Sequence, residues 1–383
     1  MNARACDRCM ARSWLVGRLA GHLDKARSRI EQVLALDADE LIMAVGGRSK
    51  AQLEREFGAV DVGQVRSRAC DAGLEVVCAC DPAYPAGLRA LAGPPAVLYV
   101  AGGLERVPDP ASGDAVAVVG ARRASPYGLD IARSLGRGLA VAGVTVVSGM
   151  AHGIDSAAHA GALEAGGLEA AALDTGTFEA GTFEAGAPTI AVLPGPADRP
   201  YPAGKRTLHR RIVTGGGAAV SEIPPGTSVW RWMFPARNRI IAALAAMTVV
   251  VEAGERSGSL VTARLAYDMW RPVGAIPGRV TTPQAAGSNA LLASGQASVV
   301  RGAQDVLDRL FGPGERIARE PSRPEAPAEL RPLLAAIAEG HETAAAALAR
   351  AGLDPDRGLA ALAALELGGY VRRAAGGRFR TAL

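Results

Sequence analysis

Short apolar runs that end in glycine or serine constrain this fold more than any other feature of the sequence. They read AVAVVG, VTVVSG, TIAVLPG, MTVVVEAG and VGAIPG, and stretches with helical spacing separate them. Strands that are apolar throughout and alternate with helices are typical of a parallel sheet covered on both faces. The sequence therefore predicts an α/β fold with an extended Rossmann-like parallel sheet. Such sheets bind ligands at the carboxyl ends of their strands.

The chain on either side of this pattern predicts further domains. Residues 1–78 carry leucine, alanine, arginine and glutamate at helical spacing, which predicts a small helical domain before a Rossmann-like domain at 79–311. Residues 312–328 are rich in proline and charge and predict a linker. Residues 329–383 read as three short helices and two short strands, which predicts a winged-helix domain. A tandem GTFEA repeat at 176–185 is interpreted as a duplicated surface loop without an assigned function.

The end of the predicted winged-helix domain is its basic part. Arg372, Arg373, Arg378 and Arg380 have no acidic residue near them in the sequence, so they could contact a phosphate backbone. The preceding helix has almost no side chains that could read base edges. We therefore expect such phosphate contacts to be auxiliary, and the alternative is that this domain docks a protein.

Composition narrows the class of protein. With 383 residues and 49% hydrophobic content the chain can bury large cores, and its net charge of +4 is compatible with a polyanionic partner. No apolar run approaches the length of a membrane span, and the first residues lack an uninterrupted apolar segment. We expect a cytoplasmic protein with no membrane partner.

The cysteines predict neither disulfides nor a metal site. There are five, an odd number in a long chain, which argues against a disulfide framework. Cys6 and Cys9 form a CxxC pair, but one pair supplies only half of a zinc site, and no His or Cys pair at matching spacing completes it. Two reduced thiols are the simpler interpretation, and no metal or cofactor is expected.

Glycine, hydroxyl and basic side chains follow several of the predicted strands. Backbone amides in such turns can bind an anion where a helix begins, and a nearby guanidinium can reach the same anion. The turn GARRASPYG is not GxGxxG and lacks a placed acidic residue for a ribose, so NAD is not expected. The alternative is a set of ordinary strand-to-helix turns. The candidate anion-binding residues in these turns are Gly120, Arg122, Arg123, Ser148, Gly149, His152, Ser257, Gly258, Ser259 and Thr262.

Two further segments interleave basic and aromatic residues. RPYPAGKRTLHRR contains no acid and includes Tyr201, and VWRWMFPARNR follows at 229–239. A basic groove with stacking side chains is what single-stranded nucleic acid requires. The alternative is that Trp230, Trp232 and Phe234 are core anchors. The candidate contacts from these segments are Lys205, Arg206, Phe234, Arg237, Asn238 and Arg239.

The stretch FPARNRII sets a physical problem. Arg237 and Arg239 stand directly before an apolar run that is predicted to be buried. Guanidiniums in that position are costly to desolvate unless they meet an anion or solvent. Either they cap a structural network or they bind a ligand.

Taken in order, these motifs resemble the DNA-processing protein A family, also called DprA or Smf, over roughly residues 80–300. The resemblance implies an extended Rossmann fold, single-stranded DNA binding in the cytoplasm, a homodimer, and delivery of the strand to the RecA recombinase in natural transformation. It also implies that Arg237 and Arg239 face the strand's phosphates or hold the pocket rim, while Asn238 orders the loop. His152 departs from the family pattern, in which arginine is usual.

Two other functions remain open from the residues. Related Rossmann-like enzymes cleave nucleoside monophosphates, and Glu252 could act there as an acid or base. The PGGxGTxxE signature of those enzymes is missing, so we expect a DNA-binding mediator without turnover rather than an enzyme. A sensor that binds a small nucleotide in the same pocket is the remaining alternative.

Overall fold

The computed structural model describes residues 5–174, 189–318, 326–374 and 376–381, with backbone only for 166–174 and 374. The chain divides into two compact units, Met1–Glu320 and Pro321–Leu383. The GTFEA repeat and the middle of the predicted linker lie outside the described residues.

A nine-stranded sheet forms the centre of the first unit, in the order β1-β2-β6-β5-β4-β3-β7-β8-β9. All neighbouring pairs from β6 to β9 in this order are parallel, whereas β2 is antiparallel to both β1 and β6. The predicted α/β class with a largely parallel sheet is confirmed. The strands are β1 Glu75–Cys78, β2 Val97–Ala101, β3 Ala115–Val119, β4 Thr145–Ser148, β5 Thr189–Val192, β6 Ala218–Ser221, β7 Met247–Val250, β8 Val273–Ala275 and β9 Ser298–Val299.

Helices surround this sheet on both faces. None of the helices in the described part of the chain is long and apolar enough to cross a membrane. The helices of the first unit are α1 Asp7–Arg18, α2 Ala20–Leu23, α3 Ile30–Ala35, α4 Ala38–Val45, α5 Lys50–Gly58, α6 Val62–Asp71, α7 Ala86–Arg89, α8 Pro126–Val141, α9 Ile154–Asp174, α10 Arg206–Thr214, α11 Met233–Leu244, α12 Ser259–Asp268, α13 Ala286–Ala293 and α14 Ala303–Phe311.

Strand β3 shows why the apolar runs are continuous. Val116 and Val118 belong to the core cluster that includes Leu135 and Leu139 of α8. Ala115, Ala117 and Val119 belong instead to the cluster on α11 and α12. Because side chains alternate between the two faces of a strand and both faces are covered, every position of β3 is buried.

The sheet has its topological switch point beside β3. The chain passes from β3 through β4 and β5 to β6 on one side, then crosses to β7 on the other side of β3 and continues to β8 and β9. In open parallel sheets the crevice at the carboxyl ends of the strands next to such a point is where ligands bind. The glycine and serine residues that end the strands therefore lie at one edge of the sheet.

The N-terminal helices share a core with the rest of the first unit. Leu15, Leu19 and Leu23 form one buried cluster with Ile223 and Trp232. The Trp232 indole N–H donates to the Ala20 carbonyl at 2.8 Å. The predicted domain boundary at residue 78 falls at the end of β1, which pairs with β2 in the sheet. Helices from the segment before this boundary pack against the sheet.

The second unit contains three helices and an antiparallel hairpin. These are α15 Arg331–Ala338, α16 Ala344–Ala351, α17 Pro355–Leu367, β10 Val371–Ala374 and β11 Arg378–Thr381. Leu333, Leu348, Leu362 and Phe379 are among the residues of its core. The predicted elements are present, and their assignment as a winged helix stays a prediction.

Acidic residues neighbour the hairpin arginines in space, although none does in the sequence. Arg373 pairs with Glu366 at 3.0 Å, and Arg380 pairs with Glu342 at 3.0 Å. Arg378 approaches the same Glu342 at 3.5 Å. These carboxylates reduce the local positive charge that the sequence predicted for the hairpin.

His159 couples the stability of the first unit to pH. Its Nδ1 lies 2.7 Å from the Thr189 hydroxyl, and burial, together with the nearby charge of Arg237, lowers the pKa of His159 to about 3. In the unfolded chain a histidine pKa is about 6.5. Since the folded pKa is the lower one, this group's contribution to stability is present above about pH 6.5 and is lost as the pH falls toward 3.

We predict that His159→Gln makes stability less dependent on pH. The parent should lose up to about 1.4 kcal/mol of unfolding free energy per pH unit between these pKa values from this residue, and the variant should not. Urea unfolding followed by tryptophan fluorescence measures the difference, and the exposed His152→Gln is the control. Parallel pH profiles for the parent and His159→Gln would contradict the burial of a neutral histidine.

Candidate nucleic-acid interface

The turn after β3 is fixed on two sides. The Ala121 N–H donates to the Glu252 carbonyl at 2.6 Å, and the Ile154 N–H donates to the Ala121 carbonyl at 3.2 Å. A Cβ at Gly120 would lie 2.6 Å from Ile154 Cγ1 and 2.8 Å from the Glu252 carbonyl, so only glycine fits there. The fixed turn leaves the side chains of Arg122 and Arg123 exposed.

Glu252 holds the start of α8. Its carboxylate accepts the Ser125 N–H at 2.8 Å and the Ser125 hydroxyl at 2.6 Å, one on each oxygen. The Ser125 hydroxyl oxygen in turn accepts the Gly128 N–H at 3.0 Å as the N-cap of the helix. Glu252 is buried and both of its oxygens are engaged, so its contacts are those of a structural carboxylate.

Arg237 joins the ends of two strands. Its Nη1 donates to the Gly149 carbonyl at 2.7 Å and to the Val192 carbonyl at 2.6 Å. A Cβ at Gly149 would overlap the guanidinium, which explains glycine at that position. Only 6% of Arg237 is exposed. In the sequence Arg237 stands before an apolar run that was predicted to be buried. In the structure its guanidinium donates to backbone carbonyls at the sheet edge.

The charges around Arg237 are themselves buried. Burial lowers the pKa of Arg237 to about 10, an effect that the nearby Asp155 opposes. Burial also raises the pKa of Asp155, and Arg237 acts in the opposite direction. Buried opposite charges stabilise each other's ionised forms. Asp155, in the first turn of α9, thus belongs to the environment of this arginine.

Arg239 forms a buried ion pair. Its Nη2 lies 2.6 Å from Glu222 Oε2, and both side chains are less than 10% exposed. Burial raises the pKa of Glu222, while Arg239 and, more weakly, Arg12 of α1 lower it. Of the two roles expected for Arg237 and Arg239, the burial of both fits holding the pocket rim and does not fit direct contact with a phosphate. Glu222, directly after β6, is the partner that sequence reasoning missed.

Arg12 extends this network to the N-terminal helices. It donates to the carbonyls of Leu34, Leu36 and Asp37 at 3.2, 2.6 and 3.0 Å. Burial is the main cause that lowers the pKa of Arg12, and Asp37 and Glu222 oppose it. The carboxyl end of β6 and the turn after α3 are therefore connected through two guanidiniums and one carboxylate.

One guanidinium and two aromatic rings are in contact at the surface of the site. The Arg122 guanidinium lies 5.1 Å from the centroid of the Phe234 ring. Tyr201 meets Phe234 edge to face, with 5.3 Å between the ring centroids, and is 40% exposed. We call Arg122, Tyr201 and Phe234 the aromatic ledge. The sequence predicted all three as candidates, and the structure brings them together from three separate segments.

Further basic side chains follow other strand ends. His152 comes after β4, Lys205 and Arg206 come in the segment after β5, and Arg123 neighbours Arg122. All are exposed except Lys205, which is half-buried. Within the described ranges the structure records no ion pair for any of the four. We call Arg123, His152, Lys205 and Arg206 the basic rim.

The remaining predicted hydroxyls mostly bond within the protein. Ser148 is buried and donates to the Val118 carbonyl at 2.6 Å. Ser259 and Thr262 are also buried, and the Ser257 and Ser259 hydroxyls lie 2.7 Å apart. Asn238 Nδ2 donates to the Gly258 carbonyl at 3.4 Å, which fits the expectation that it orders a loop. In this group Ser257 and Asn238 are half-buried and Gly258 is exposed.

Comparison with known proteins identifies close relatives. The family model for DNA recombination-mediator protein A matches residues 75–311. A DNA processing protein DprA of Mycobacterium tuberculosis H37Rv is 36% identical over 376 residues, covering 95% of this chain and 84% of its own length. Protein Smf of Escherichia coli K12 is 33% identical over 304 residues, covering 78% and 75%. The X-ray structure of DprA from Streptococcus pneumoniae has a TM-score of 0.59 and 28% identity, covering 79% of this chain and 98% of that chain.

We predict that Arg239→Met strongly destabilises the first unit. It would leave Glu222 buried without its main partner, and breaking a buried pair in this way costs about 3–5 kcal/mol. Adding Glu222→Gln should recover part of the loss, since a neutral amide is less costly to bury. Tryptophan fluorescence during urea unfolding measures this. Arg206→Met on the surface is the control, and an equal, small effect of both arginine variants would refute the buried pair.

Proposed function

The chain belongs to the DNA recombination-mediator protein A family, and from this premise we propose that it binds single-stranded DNA along the carboxyl edge of its sheet. The observation that carries the proposal is the aromatic ledge beside the basic rim. Its relatives are named for DNA processing, which supports the proposal. The strand would be a ligand and not a substrate.

The ledge and the rim suit the two chemical parts of a single strand. Phosphates would meet the guanidiniums of Arg122, Arg123 and Arg206, and Lys205 beside them. Bases would stack on the rings of Tyr201 and Phe234, since stacking on aromatic rings tolerates any base. Binding of this kind is largely independent of sequence and weakens with salt, because phosphate contacts release counterions.

Arg237, Arg239 and Asn238 would act indirectly. The two arginines are buried on protein partners, and the amide of Asn238 bonds the loop at Gly258. They would hold the strand-end loops in place for the residues that contact DNA. Ser257 and Gly258 could offer further contacts at the surface, whereas Ser148, Ser259 and Thr262 would be structural.

The contacts of Glu252 favour a binding protein over a nucleotide hydrolase. A general acid or base needs an oxygen free to exchange a proton with its substrate. Both Glu252 oxygens instead accept hydrogen bonds from Ser125, which supports the interpretation without turnover. No cofactor is part of this proposal.

We further propose that the chain forms a homodimer through the β9 edge of its sheet and delivers the bound strand to the RecA recombinase in the cytoplasm. Trp270 is 96% exposed, Tyr267 and Val299 are each 55% exposed, and all three follow or form elements at this edge. Tyr267 also lines an apolar groove with Leu260 and Leu291. Exposed apolar area of this kind is typical of protein interfaces. The C-terminal unit would be auxiliary in this function.

We predict that Arg122→Glu weakens binding to oligo-dT by on the order of 1–3 kcal/mol, about 5- to 150-fold, because a charge-assisted contact becomes a repulsion. The dependence of affinity on salt should also become shallower. Fluorescence anisotropy with a labelled oligo-dT at several salt concentrations measures both.

Arg48→Glu makes the same change of charge at an exposed position among the N-terminal helices and is the matched control. It should bind oligo-dT nearly as the parent does. A folded Arg122→Glu protein that binds as tightly as Arg48→Glu would place the DNA elsewhere on the molecule.

We predict a dimer in solution that Trp270→Glu separates, since burying a carboxylate in an apolar contact is costly. Light scattering at micromolar concentration measures the mass. Met43→Glu changes an exposed apolar residue far along the chain, on α4, and should remain dimeric. A monomeric parent would remove the dimer, and a dimeric Trp270→Glu would remove this surface as its interface.

A further inference from the structure

Four cysteines from two distant parts of the sequence converge in the first unit. The sulfur atoms of Cys6, Cys9, Cys78 and Cys80 all lie within 4.8 Å of one another. We propose that these four side chains bind one zinc ion as a structural site. The sequence predicted no metal because the CxxC pair had no visible complement. The complement is a CxC pair about 70 residues later.

The sulfur separations fit a single tetrahedral ion. Cys9 Sγ and Cys80 Sγ are 3.7 Å apart, and Cys6 Sγ and Cys78 Sγ are 4.0 Å apart. Zinc–sulfur bonds of about 2.3 Å in a tetrahedron place the sulfurs about 3.8 Å from one another. A disulfide would require about 2.05 Å. The four thiols are therefore spaced as ligands and not as bonded pairs.

Regular elements position both halves of the site. Cys6 is the N-cap of α1 and Cys9 lies in its first turn, while Cys78 ends β1. After β1 the Asp81 N–H donates to the Cys78 carbonyl at 2.9 Å, and the Ala79 N–H donates to the Ala96 carbonyl at 3.2 Å, which fixes the turn that carries Cys80. Neither half depends on a long unsupported loop.

Groups at the start of α1 can support thiolates at the exposed end of the site. The Cys6 N–H donates to Cys78 Sγ at 3.4 Å, and backbone donors to the sulfur are a common support of metal thiolates. The N-terminal end of a helix also stabilises thiolates. Arg66 donates to the Ala5 carbonyl at 2.7 Å and pairs with Asp7 at 2.6 Å, which holds the start of α1. Each thiol would give up its proton as zinc binds.

The number and type of ligands indicate the metal and its role. Four soft thiolates in a tetrahedron select zinc or iron–sulfur chemistry. A cluster of several irons would hold the cysteine sulfurs further apart, because metal and sulfide atoms would lie between them. A site with four protein ligands leaves no position for a substrate, so its role is structural. It would fasten the start of α1 to the edge strand β1.

Zinc content of the full-length protein tests the site. The protein would be made without a polyhistidine tag in medium containing zinc, dialysed against EDTA, and analysed by elemental mass spectrometry. We expect about one zinc per chain in the parent. The double variant Cys6→Ser/Cys80→Ser changes the two exposed ligands and should lose most of the metal. Cys70→Ser removes the one cysteine outside the cluster and should keep it.

Cobalt provides a second measurement that does not depend on the variants folding. Parent protein exchanged with cobalt should show the near-ultraviolet thiolate charge-transfer bands and strong visible bands of a tetrahedral thiolate site.

Stronger chelation of the zinc protein should lower its thermal unfolding midpoint, and the double variant should show no such shift. A parent that neither contains zinc nor takes up cobalt would overturn the proposal. So would bound iron in place of zinc, or zinc retained in the double variant.

Discussion

The burial of two guanidiniums at the start of α11 is the interaction on which the carboxyl edge of the sheet depends. Arg237 satisfies carbonyls at the ends of β4 and β5, and Arg239 neutralises Glu222 at the end of β6. Strand ends at a parallel edge leave carbonyl groups without sheet partners, and burying them unpaired is costly. The arginines supply donors to these groups, and the same groups offset the desolvation of the arginines. Each half of the arrangement requires the other.

The buried contacts of Glu252 and Arg237 hold the residues of the aromatic ledge in place. Arg122 comes from the turn after β3 and Phe234 from the start of α11. Their side chains meet because the β3 turn is fixed by Glu252 and α11 is fixed by Arg237. A surface that is already ordered loses less conformational entropy when it binds a flexible strand. In the proposed function, the aromatic ledge is therefore ordered before the strand binds.

The sequence predicted the sheet well because its signal is local. An apolar run such as AVAVV between helical stretches is typical of a strand covered on both faces, and the residues that follow such a strand lie at the sheet edge. Arg122 was predicted as a candidate from its place after a strand, and Tyr201 and Phe234 were singled out as aromatic residues among basic ones. The depth of Arg237 could not be predicted, because its partners at Gly149 and Val192 come from other strands. Whether a guanidinium is buried or exposed depends on such distant partners, which no local pattern records.

The N-terminal segment is attached to the sheet at several points. The family match begins at residue 75, so it includes Cys78 and Cys80 but leaves Cys6 and Cys9 outside. On α1, Arg12 approaches Glu222 and the Ser13 hydroxyl meets the Tyr99 hydroxyl at 2.8 Å. Beyond α1, Trp232 bonds to Ala20. The helix is thus anchored along its length, and the four cysteines stand where an anchor for its first turn is needed.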